Sequence, residues 1–172
     1  MSSGRTHDQI TFICLPWVGA LTLLVTFNLG VSLCLCGGFL FSGLMFGPDL
    51  DIYSKQYQRW GLLKFIWLPY QKVLSHRSLL SHGPVIGTLL RLLYLGLWII
   101  LALTACEVIS RLWHLSWQMP PLKTVLEQMW IQSPHSCIAL LLGLEAGAMS
   151  HSISDGISSG RKAFLKRWKR RS

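Results

Sequence analysis

From residue 10 to residue 48 this chain carries no charged side chain. A run of that length is hard to bury in one small soluble core, but it is enough for two membrane crossings of about 20 residues each. The 172 residues suffice for a single domain. Only 13% of them are charged, against about 25% in soluble domains, so a water-facing surface would be short of solvating groups. The expected fold is therefore all-α, a membrane-embedded helical bundle.

Four apolar segments carry that expectation, at residues 10–29, 31–47, 84–106 and 137–150. Thr6 and Gln9 have the spacing of a capping box ahead of the first, and Pro16 comes early enough to be tolerated near a helix start. The second segment holds Gly37, Gly38, Gly43 and Gly47, which suit close helix approach in lipid. Arg91 is the one charge in the third. The fourth contains Glu145 and is short for a full span, so it reads either as a crossing or as a buried helix. Arg5 followed by an apolar stretch has a leader-like look. No A-x-A-like cleavage site separates that stretch from the next, however, and the first segment reads as a retained helix.

Residues 49–83 are basic and aromatic. Trp60, Phe65, Trp67 and Tyr70 alternate with Lys64 and Lys72, the mixture an interfacial helix needs in the headgroup region. The expected organisation is one helical membrane domain over residues 1–160 and a basic tail over 161–172. Phe164, Leu165 and Trp168 within the tail favour anionic lipid over nucleic acid as its partner, at about 1 kcal/mol per basic residue. If all four segments cross, thirteen of the sixteen Lys and Arg fall on one side, while the loop at 107–136 holds only Arg111 and Lys123. The positive-inside rule then places both termini in the cytoplasm of a bacterial inner membrane.

The metal-competent side chains collect on that same side. His7 and Asp8 precede the first segment, Asp49 and Asp51 follow the second, His76 and His82 precede the third, and His151 and Asp155 follow the fourth. Histidine plays no part in the Lys and Arg asymmetry, so the coincidence is informative. Imidazole and carboxylate without thiolate suit zinc first, or manganese or iron. His151 and Asp155, four apart, share a helical face. Asp49 and Asp51 would point the same way on an extended backbone. His76 and His82 need a break between them. The five cysteines, Cys14, Cys34, Cys36, Cys106 and Cys137, lie in or beside apolar segments and read as small hydrophobes.

The stretches SGRTHDQIT, GGFLFSGLMFGPDLDIYSKQY and LPYQKVLSHRSLLSHGPVIGT resemble an uncharacterised bacterial family of metal-binding membrane proteins, common in cyanobacteria. More distantly, the order T-H, P-D-L-D, H-R-S-x-x-S-H and H-x-x-x-D is similar to the membrane-bound metal-dependent hydrolases. The resemblance covers nearly the whole chain. It implies a helical inner-membrane protein with His7, Asp49, Asp51, His76, His82, His151 and Asp155 around a divalent metal.

Around that set, Arg77 is placed either to steady an anionic substrate or to meet headgroups and aspartates, and Arg5 has the same two readings. Asp8 is expected to support the ligands, although the first turn of a helix favours a carboxylate anyway. Glu145 reads first as a partner of Arg91, since both are costly in apolar segments, with a role as supporting acceptor or base the second reading. His114 and His135, in the opposite loop, read as interfacial residues. The function expected is metal-dependent hydrolysis of a phosphoester or ester at the cytoplasmic face. The rivals are non-catalytic metal binding or sensing, a transporter, whose ligands belong nearer the midplane, and a scaffold.

Overall fold

The structure, a computed structural model, describes residues 4–76, 78–114 and 120–169, the side chains of 159 and 161–169 excepted. The described residues form helices and turns with no strand. Helix α1 spans Gly4–Thr26 and α2 spans Leu29–Leu44. The short α3 (Lys55–Gln58), α4 (Leu68–Val73) and α5 (Leu79–His82) follow. The long α6 (Ile86–Leu112), α7 (Leu122–Gln132) and α8 (Pro134–Lys169) complete the chain. Four stretches are long and apolar enough to cross a membrane: Gly4–Thr26, Leu29–Asp51, Ile86–Leu112 and Pro134–Ser158.

Helices α1 and α2 form a hairpin whose turn is set by Phe27 at φ 47° and by Asn28, which accepts the Val31 N–H as an N-cap. The closest packing joins α2 to α8, and glycine on both sides makes it possible. A Cβ at Gly143 would lie 2.1 Å from the Leu35 carbonyl oxygen, and one at Gly38 would lie 2.5 Å from that of Leu140. The two backbones are therefore in contact, as small-residue seams allow. Gly37 makes no such approach; the glycine-rich face reaches its neighbours through Gly38, Gly43 and Gly47.

Four expectations need correction. Helix α1 already includes Thr6, so no capping box forms there. Pro16 sits in the helix interior, where its missing N–H leaves the Phe12 carbonyl without its usual donor. The fourth segment belongs to a helix of 36 residues, because polar residues 151–169 continue it. The loop at 107–136 contains α7. The aromatic stretch between the second and third segments is helical over 61–73, as a 3-10 helix Gly61–Trp67 that runs on into α4.

Trp67 is fully buried and Tyr70 nearly so, against Phe46, Leu50, Tyr57 and Leu144. Trp67 meets Phe46, Trp60 and Tyr70 edge-on. Burying each such ring contributes roughly 1.5–3 kcal/mol. Phe65 and Leu62 remain exposed. The five cysteines are free thiols; Cys106 is exposed and the others half-buried.

Candidate metal centre

The PDLD segment reaches the centre from α2. Pro48 holds Gly47 extended, at φ −84° and ψ −176°, and opens a 3-10 turn over Pro48–Asp51. Such a turn advances about 120° per residue, so Asp49 and Asp51 diverge instead of pointing together as an extended strand would have them. The turn is tied down at its backbone: Ser54 Oγ donates to the Asp49 carbonyl at 2.7 Å, and Gln71 Nε2 donates to those of Leu50 and Ile52, each at 3.0 Å.

His82 ends α5, a single turn capped by Ser78, which accepts the Ser81 N–H. His76 lies in the turn before it. Gly83 and Pro84 then carry the chain into α6 through Val85, whose φ of 63° is strained for a β-branched residue. On the other side, α8 continues straight through His151 and Asp155 and presents both inward, while α1 presents His7. His7, His151 and Asp155 are all at least nine-tenths buried.

All seven expected ligands meet here. His7 Nε2 lies 3.3 Å from Asp155 Oδ1, and its ring stacks on His151 with centroids 3.7 Å apart. His151 Nε2 lies 3.1 Å from Asp49 Oδ2. The other oxygen, Asp49 Oδ1, is 3.7 Å from His82 Nε2. His76 Nδ1 is 2.9 Å from Asp51 Oδ1. Two groups have donor atoms within 4.8 Å of one another: His7, His151 and Asp155, and Asp49, His76 and His82.

The donors fit a metal. Asp49 Oδ1 and the Nε2 atoms of His76 and His82 are buried without a hydrogen-bond partner, an arrangement costly unless something else engages them, and His151 Nε2 is equally buried beside Asp49 Oδ2 at 3.1 Å. The opposite ring nitrogens are occupied: His76 Nδ1 by Asp51, His82 Nδ1 by Ser81 Oγ at 2.9 Å, and His151 Nδ1 by the Gln56 amide at 3.4 Å. Such outer partners orient histidine ligands toward a metal. Asp51 meets His76 through Oδ1, while its Oδ2, 3.8 Å from His82 Nδ1, is also buried without a hydrogen-bond partner.

The surrounding residues divide. Asp8 lines the small cavity beside His7, Asp49 and His151, but Arg59 grips its carboxylate at 2.6 and 2.9 Å. Glu145 accepts the Val85 N–H at 2.9 Å and so anchors the start of α6. It does not pair with Arg91. Fully buried Arg91 instead donates to the Ser81 carbonyl at 2.8 Å and to Thr88 Oγ1 at 3.0 Å, because Gly87 leaves room for α6 to approach Ser81. Burial pushes the phenol of Tyr70 above its ordinary value, so it stays neutral. Arg77 and the side chains of the basic tail lie outside the described residues.

Two contributors escape sequence reasoning. Gln56 is buried between the Gly43 carbonyl, to which its amide donates at 2.9 Å, and His151. Nothing in its neighbours marks it. Ser81 stood inside the quoted S-x-x-S-H motif, whose serine spacing is the one signal that pointed to it.

A protein of Aquifex aeolicus (strain VF5), described as an uncharacterized protein, is 44% identical over 59 residues. That stretch covers 34% of this chain and 41% of the Aquifex protein, so the chain spans less than half of this relative. No solved structure matches the chain. A family model described as "Uncharacterized metal-binding protein (DUF2227)" matches residues 2–165, and with the His/Asp centre it accounts for nearly the whole sequence: the chain belongs to this family of metal-binding proteins.

Proposed function

We propose that this chain is an integral-membrane protein that holds divalent metal at the cytoplasmic headgroup level and uses it to hydrolyse a phosphoester or ester. The observation that carries the reading is the convergence of the buried Nε2 atoms of His82 and His151 on the two oxygens of Asp49, with the buried Nε2 of His76 in the same group. Zinc suits these donors best, with manganese or iron next. The outward apolar surfaces of α1 and α6 support membrane embedding. The lopsided Lys and Arg distribution supports cytoplasmic termini. A basic tail next to such a surface fits anionic lipid as a partner.

Bound metal supplies Lewis acidity and a water of lowered pKa. The protein's own residues do the rest. Asp51, Ser81 and Gln56 hold the imidazoles in orientation, and Arg91 fixes the carbonyl of Ser81 and with it the corner carrying His82. His76, with 26% of its side chain exposed, marks the open side through which a substrate would approach.

A second reading, non-catalytic binding or sensing, is favoured by the narrowness of the site. The cavities flanking it measure about 20 Å³ beside His7 and His151 and about 10 Å³ beside His82 and Glu145, each room for roughly one water. To separate the two, the full chain would be purified in detergent, loaded with zinc or manganese, and assayed on phosphoester and ester substrates. Turnover that requires metal and disappears in His76→Ala supports hydrolysis. A metal-loaded protein inactive on every substrate supports the binder. Reporter fusions that place the termini outside would overturn the cytoplasmic placement.

A further inference from the structure

The geometry points to two cations, bridged by the carboxylate of Asp49, an inference that rests on the metal-binding part of the reading above. The donors do not surround one point. They form two compact groups, one from α1 and α8 (His7, His151 and Asp155) and one reached through the PDLD turn and the α5 corner (Asp49, His76 and His82). Asp49 stands between them with its oxygens divided: Oδ2 is 3.1 Å from His151 Nε2 and Oδ1 is 3.7 Å from His82 Nε2. A carboxylate with one oxygen toward each ligand group is the arrangement that joins two metals about 3.5–4 Å apart.

Coordination number agrees. A tetrahedral zinc takes four ligands, yet six side chains remain after Asp51 is assigned to orienting His76. Two ions sharing Asp49 take four and three of them. Each then has two histidines and a share of Asp49; the first adds Asp155, while the second keeps an open position on the side where His76 is exposed. Charge agrees as well. With neutral histidines, Asp49, Asp51 and Asp155 put a formal charge of −3 in a buried space, which is costly without compensation. One divalent ion leaves −1 and two give +1, the sign that admits an anionic phosphoester.

The test is ion counting and spin coupling, neither of which depends on turnover. The full chain in detergent would be stripped, equilibrated with Mn²⁺ alone, freed of excess, and measured for manganese per chain and by electron paramagnetic resonance. The expected result is two ions per chain with the spectrum of an exchange-coupled pair. His7→Ala and His76→Ala should each retain one ion and show the spectrum of an isolated Mn²⁺, and Asp49→Ala should abolish coupling. One uncoupled ion per wild-type chain would overturn the two-ion inference while leaving the metal site standing. Two uncoupled ions would overturn the Asp49 bridge. No retained metal would remove both this inference and the reading beneath it. The wild-type measurement decides even if a variant fails to fold.

Discussion

The two ends of the bundle use the same residue types in opposite ways. At one end, four histidines and three aspartates are drawn together, and Asp51, His7, His151 and Asp155 are almost sealed from solvent. At the other end, His114 and His135 are exposed, and the charges form neighbouring pairs along single helices, Glu107 with Arg111 and Lys123 with Glu127. Those pairs obey the i,i+4 rule and need no tertiary structure. Residue identity alone does not make a ligand here. What matters is burial among carboxylates, with a neighbouring side chain holding one ring nitrogen of His76, His82 and His151.

The sharpest way to break this comparison is to delete histidines at each end. Changing His76 and His151 together to alanine should abolish metal retention, a loss of more than about 100-fold in affinity, the upper range for lost outer partners alone. Changing His114 and His135 together should leave metal content at the wild-type value. Metal analysis after gel filtration reads both, and equal losses would erase the distinction between the ends.

A second variant tests whether the seam sets up the site. Gly143→Val places a side chain where a Cβ is already 2.1 Å from the Leu35 oxygen. Overpacking of this kind costs about 1–3 kcal/mol, which lowers the melting temperature by roughly 2–4 °C per kcal/mol in a chain of this size. Gly37→Val, whose added atoms meet open space, should melt near wild type. Thermal unfolding in detergent compares them.

Smaller effects separate ligands from their supports. Ser81→Ala and Asp51→Asn should weaken metal binding by about 10–100-fold without abolishing it, as measured by competition with a chelator. A complete loss in either would promote that residue to a direct ligand. Smallest of all, Glu107→Gln at the far end should change stability by about 0.3–0.5 kcal/mol, the range for exposed helix pairs, and should leave the bound metal untouched. An effect on metal would contradict the separation of the two ends.

The corrections sort by physical range. Segment existence was legible because hydropathy acts locally over some twenty residues. The extent of α8 was not, because its polar half, 151–169, is held helical as a continuation of a packed helix. Trp67 and Tyr70 carried the composition of an interfacial helix, yet Phe46 and Leu50, distant in sequence, offered them a core. Arg91 and Glu145 looked like a pair since both are costly charges in apolar helices. Each found a backbone partner, the Ser81 carbonyl and the Val85 N–H, that only the α5 corner provides.

The sequence by itself determined that the chain is helical and apolar in four stretches. It also determined that His7, Asp49, Asp51, His76, His82, His151 and Asp155 stand at segment ends on one predicted side, since alternate connection of spans forces such ends together. Only the tertiary structure decided how those side chains divide. The 3-10 turn after Pro48 turns Asp49 away from Asp51, and the glycine seam sets α8 against α2 so that His151 meets one oxygen of Asp49. The α5 corner, held by Arg91, brings His82 toward the other. Grouping depends on helix rotation and ångström-scale approach, which backbone contact between distant residues fixes and local spacing does not.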